Sequence, residues 1–147
     1  MKCCTPLLAA LLLIVGAAPK DDASAMDLKK MQGDWVVISM IKDGTRIPDD
    51  DAQALFRTVK DDTYTVSRFS KVVGKGNFKI DATKKPKTID STPAGPADKA
   101  PVIHGIYELK GDTLKTCNAP PGKERPTNFE AKEGSEHTMI LWQREKK

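Results

Sequence analysis

From Trp35 onward, apolar and polar side chains alternate in short runs separated by turn-forming pairs, which is the period of strands. In the first run Trp35, Val37, Ser39 and Ile41 fall on one face and Val36, Ile38 and Met40 on the other, and Asp43-Gly44 ends it with hairpin chemistry. Residues 56–60 follow, then a turn at Asp61-Asp62 and a β-branched and aromatic run over 63–69. Residues 71–73 and 76–81 continue the meander, with Phe78 and Ile80 on one face and Gly74-Lys75-Gly76 between them as a turn or bulge. Residues 103–110 and 113–117 around Gly111-Asp112 make the clearest hairpin, and 128–132 and 138–144 read as two final strands. About eight strands result, a number that closes a small barrel. The pattern shows no repeat and no second domain. It predicts an all-β fold: a small antiparallel up-and-down β-barrel with a short N-terminal helical turn and one short helix after the first strand.

Two segments depart from the alternation. Ser24-Ala25-Met26-Asp27 fits a capping box, Leu28 and Met31 share one helical face, and Gly33 ends the turn. After Pro48, Asp49, Asp50 and Asp51 precede Ala52, Leu55 and Phe56, which suits a short helix with acids at its positive end. The same acids could gather oxygen ligands for calcium, but the spaced acids, glycine and terminal glutamate of a calcium loop are missing.

The start of the chain reads as a secretory signal: Lys2, an apolar run over 7–15, then Gly16, Ala17 and Ala18. That run is shorter than the roughly 20 residues of a membrane span. The reading divides the chain into a signal peptide (1–17), a linker (18–26) and a barrel domain (27–147), with later cleavage at Ala23-Ser24-Ala25 as the alternative. Cys3 and Cys4 precede the apolar run, so neither is placed to carry a lipid anchor. A soluble, exported, monomeric protein of the periplasm or exterior is expected, with no stable insertion into a membrane. Cys117 is then the one remaining cysteine, so the fold rests on its core without a disulfide. A net charge of +4 describes a mildly basic surface, and 5% aromatics argue against a stacking platform for nucleic acid.

Candidate chemistry is thin. Cys117, His104 and His137 are the residues available for thiol or imidazole work. His104 shares a strand face with Ile106 and Glu108, opposite Tyr107 and Leu109, which places it outside the barrel, and His137 falls in a turn after Gly134-Ser135-Glu136. No spaced ligand set for zinc appears. The acids Asp61, Asp62, Asp90, Glu108 and Asp112 fall at turns or solvent-facing positions, not on an apolar face where a carboxylate would have a raised pKa. Gly74-Lys75-Gly76 lacks the spacing of a phosphate loop, and Lys84-Lys85-Pro86-Lys87 reads as a solvated edge that discourages aggregation. The expectation is a non-enzymatic protein without a metal or cofactor.

Gly33-Asp34-Trp35 after a helical turn resembles the Gly-x-Trp signature of lipocalins, in which the tryptophan plugs the closed barrel end beneath an arginine of the last strand. Arg144 is the matching arginine, so Gly33, Trp35 and Arg144 form the implied closed end. Residues 28–35, 80–87, 105–109 with 111–115, and 122–127 are similar to an uncharacterised lipocalin-like family of exported bacterial domains, which carries no established ligand. Thr116 departs from it, standing where an apolar residue is usual. In such a barrel Trp35, Val37, Tyr64, Val66, Phe78, Ile103, Tyr107 and Leu114 either line a pocket for a small apolar molecule or fill the interior. The alternative is an interaction or inhibitor module that meets an envelope protein through rim loops 93–101 and 119–126.

Overall fold

The computed structural model describes residues 21–95 and 101–147. The expected signal peptide and the centre of loop 93–101 lie outside the described residues. The elements are α1 (Asp21–Met31), β1 (Gly33–Lys42), β2 (Thr45–Arg46), α2 (Asp49–Gln53), β3 (Leu55–Lys60), β4 (Thr63–Arg68), β5 (Lys71–Asp81), β6 (Lys87–Pro93), β7 (Ile103–Lys110), β8 (Thr113–Asn118) and β9 (Thr138–Arg144). All pairings are antiparallel, in the order β2-β1-β3-β4-β5-β6-β7-β8-β9, and β9 returns to pair with β1. Eight strands thus close an up-and-down barrel, with the two-residue β2 as a flap on β1.

The eight strands are not the set read from the alternation. Residues 71–81 form one strand rather than two; a bulge takes up the extra residue, since Val66 pairs with Gly74 but Ser67 with Val72. Residues 87–93, unread as a strand, form β6, because Ile89 is the one large apolar side chain that it points inward. Residues 128–132 are not a strand. Asn128 turns its carbonyl back onto the Glu130 amide at 3.1 Å, and both β8 and β9 already have partners on either side. In β1 a bulge at Ile38 moves Met40 rather than Ile41 onto the core face.

The core is formed by Trp35, Val37, Val59, Phe78, Ile89, Tyr107, Leu114 and Trp142, joined by Met31 from α1 and Ala52 from α2. Residues 119–137 run back over the outer wall. Arg125 donates to the carbonyls of Gly105 and Ile89, and Phe129 lies beneath Lys115, so the outward-pointing Ile106 and Cys117 are buried too. The predicted capping box does not form: α1 begins at Asp21, leaving Ser24 and Asp27 inside the helix, where they bond to the barrel instead. Among the described residues no helix is long and apolar enough to cross a membrane.

Candidate functional site

α1 lies over one end of the barrel and closes it. Gly33 takes φ +110°, a region that L side chains rarely adopt, and so turns the chain sharply from α1 into β1. Trp35 enters the barrel floor fully buried, and its indole N–H donates to the Met31 carbonyl at 2.9 Å. The guanidinium of Arg144 stacks 4.3 Å from the Trp35 ring centre. It also donates to the carbonyls of Lys30 and Gln32 at the free end of α1 and to the Asp112 carboxylate. Asp27 reaches down from the helix to accept from the Tyr107 hydroxyl at 2.8 Å and from Lys87 at 2.6 Å. Burial, then the bond to Asp27, pushes the Tyr107 hydroxyl pKa upward. Lys87 is therefore an ion-pair partner of α1, not part of a solvated edge.

The eight side chains read as pocket or core divide into two groups. Trp35, Val37, Phe78, Tyr107 and Leu114 are buried in the packed interior. Tyr64, Val66 and Ile103 are half-buried, and the alternation of their strands turns them inward. Thr116 is buried and accepts the indole N–H of Trp142 at 3.2 Å.

Open space also lies beside β5. Gly74 and Gly76 stand on the inward face of β5 and present no side chain, opposite Val66 and Tyr64 respectively. A Cβ at Gly76 would come within 2.2 Å of the Thr92 carbonyl and 2.9 Å of the Tyr64 hydroxyl, so the backbone and the phenol occupy that place. A Cβ at Gly74 would meet nothing within 4 Å, which marks open space on the inner wall. The same cross-strand row continues through Val66 to Arg57 and on to Trp35.

Arg57 is the residue that the alternation did not single out. It points into the barrel, 7% exposed, between the rings of Tyr64, Phe78 and Trp142 at 5.2, 5.4 and 6.0 Å. Its Nε is buried without a hydrogen-bond partner, and no carboxylate pairs with it among the described residues. Burial lowers its pKa to about 10, an effect that the nearby Tyr64 phenol opposes. A sequence signal existed: Arg57 sits two residues from Leu55 and from Val59, on their face of β3.

The outer wall carries a second cluster. Asp90 accepts from His104 at 2.8 Å and from Arg125 at 2.7 Å, beside a cleft of about 520 Å³ bordered by Asn77, Lys79, Thr92 and Val102. Its visible role is to hold residues 119–126 against β6 and β7. His137 is half-buried in its turn, where its carbonyl accepts from Asp43. Cys117 is fully buried, and desolvation pushes its thiol up to about 11. Among the described residues no group of three or more His, Cys, Asp or Glu could hold a metal ion. Compared with models of protein families, with curated proteins and with solved structures, the chain matches none.

Proposed function

We propose that the protein is an exported, non-enzymatic, lipocalin-like domain that holds a small hydrophobic molecule between β4, β5 and β7, in the half of the barrel away from α1. The observation that carries this reading is the open space that a side chain at Gly74 would enter, beside the half-buried, inward-turned Val66. An apolar wall with a few polar groups is the usual make-up of a ligand pocket. The Trp35–Arg144 floor and the clip from α1 make the other end rigid, so a ligand would enter where α2 and the β4–β5 hairpin stand.

Titration with an uncharged apolar probe such as dodecanol, followed through the emission of Trp142, tests the reading. Saturable binding is expected in the micromolar range. Gly74→Leu is expected to weaken it at least tenfold, because the backbone at Gly74 has no positive φ and the new side chain would fill the vacant space without strain. Absence of a saturable change, or a Gly74→Leu variant that binds as well as the parent, would sink the pocket.

One observation favours an interaction reading, though through a surface other than rim loops 93–101 and 119–126. Phe69, Val72 and Val73 are 74%, 57% and 56% exposed around the tip of the β4–β5 hairpin, Phe69 just after Arg68 and the two valines just after Lys71. A partner met through this tip would be lost in Phe69→Ser while dodecanol binding stayed unchanged.

A further inference from the structure

Arg57 poses a problem that the apolar pocket does not solve. A buried guanidinium has five donors in a planar fork, and a donor buried without an acceptor, as the Nε of Arg57 is, loses the hydration it has in the unfolded chain. Three aromatic faces return only part of that loss. Buried polar groups in folded proteins nearly always have partners, so the exception asks for a missing acceptor. Asp27 and Arg57 are the charged residues that are buried among the described ones, and Asp27 is already bonded to Lys87 and Tyr107. The barrel interior therefore holds a cation whose counter-charge does not come from the protein's described residues.

The position of Arg57 says where that charge would come from. It lies on the row that continues through Val66 to the open space at Gly74. Tyr64, next on that face of β4, brings its phenol hydroxyl within 2.9 Å of where a Gly76 Cβ would stand, one inward position along β5 from Gly74. A single fork with one hydroxyl nearby suits two coplanar oxygens carrying one charge. A dianion would call for a second cation, and no other Lys or Arg is buried among the described residues.

We infer that Arg57 is the anchor of a carboxylate-binding site inside the barrel, with Tyr64 as a second donor. This deepens the pocket reading and rests on it: the ligand's apolar part lies along Val66 and Gly74, and its carboxylate meets Arg57. The carboxylate belongs either to an amphiphile or to a small free acid.

Calorimetric titration of the ligand-free protein at pH 8 with laurate, dodecanol and acetate separates the cases, repeated on Arg57→Met and Arg57→Lys. The expected result is laurate binding at least tenfold tighter than dodecanol. That preference should vanish in Arg57→Met, survive in part in Arg57→Lys, and leave the melting temperature of Arg57→Met at or above that of the parent. Saturable acetate binding that is lost in Arg57→Met, without laurate binding, would support the anion site and assign it to a small acid. Equal binding of laurate and dodecanol would overturn the carboxylate site while leaving the pocket intact. Binding of none of the three would overturn both. If Arg57→Met fails to fold, the laurate-to-dodecanol ratio in the parent and in Arg57→Lys still decides the question. A sharp fall in melting temperature without a change in that ratio would make Arg57 merely structural.

Discussion

Cys117 and Arg57 show how one burial operates on opposite charges. Desolvation favours the neutral form of each, raising the thiol to about 11 and lowering the guanidinium to about 10. For Cys117 the unfolded chain begins to lose its proton near pH 9, while the folded chain keeps it to about 11. The folded state thus binds more protons in that window, and stability is present in full below pH 9 and falls as pH rises toward 11. For Arg57 the unfolded chain holds its proton well beyond the folded chain, which holds it to about 10, so its contribution has the opposite sign and begins higher. Chemical denaturation between pH 8 and 10 should show declining stability, and Cys117→Ala should flatten that decline; an equal slope in the variant would refute the assignment. In the native protein at pH 8 the thiol should also react with iodoacetamide far more slowly than in denaturant, because the thiolate is the nucleophile.

At the scale of elements, α1 is held by polar contacts more than by its own periodicity. Ser24 accepts the Ala82 amide, Asp27 takes Tyr107 and Lys87, Gln32 pairs with the Asp61 backbone, and Arg144 reaches two carbonyls at the helix end. Asp27→Ala leaves the Tyr107 hydroxyl buried without an acceptor, a loss of about 1–3 kcal/mol. Tyr107→Phe keeps the Asp27–Lys87 pair and should cost less. Thermal melts of the two variants check the order, and Tyr107→Phe proving the more harmful would overturn this account of the clip. The sequence shows the limits of pattern reading at the same scale. Ser24 and Asp27 suit a capping box by spacing alone, and only their distance from Ala82 and Tyr107 reveals other partners. β6 was illegible because Thr88, Asp90, Ser91 and Thr92 surround Ile89, so that no alternation of apolar side chains stands out. Residues 128–132 carry Phe129 and look like a strand, yet with β8 and β9 both fully paired no sheet edge is left for them.

Closure by β1 and β9 makes the molecule one cooperative unit. The pairing of Trp35 with Arg144 and Val37 with Trp142 joins the first long strand to the last, and these residues belong to the floor and the core. Removal of residues 138–147 would open β1 and β8 to solvent and delete Trp142, so the truncated chain should lose its sheet signal in circular dichroism and shift Trp35 emission to the red. Retention of a native spectrum would mean that closure is dispensable. Much of this architecture was legible beforehand: the period of two, the turns at Asp43-Gly44, Asp61-Asp62 and Gly111-Asp112, the short helix at Asp49–Gln53 and the Gly33–Trp35 turn are local signals, set by backbone sterics and side-chain pattern. What the sequence determined by itself was therefore the class of fold and the faces of its clearest strands. Tertiary structure decided the rest, because each remaining feature depends on residues far apart in the chain. It supplied β6 with partners, cast residues 119–137 over the outer wall, and set Arg57, Val66 and Gly74 on one row beside open space. An arginine between Leu55 and Val59 declares only that it shares their face; that rings surround it and that its Nε has no hydrogen-bond partner among the described residues are properties of distances, which no local pattern contains.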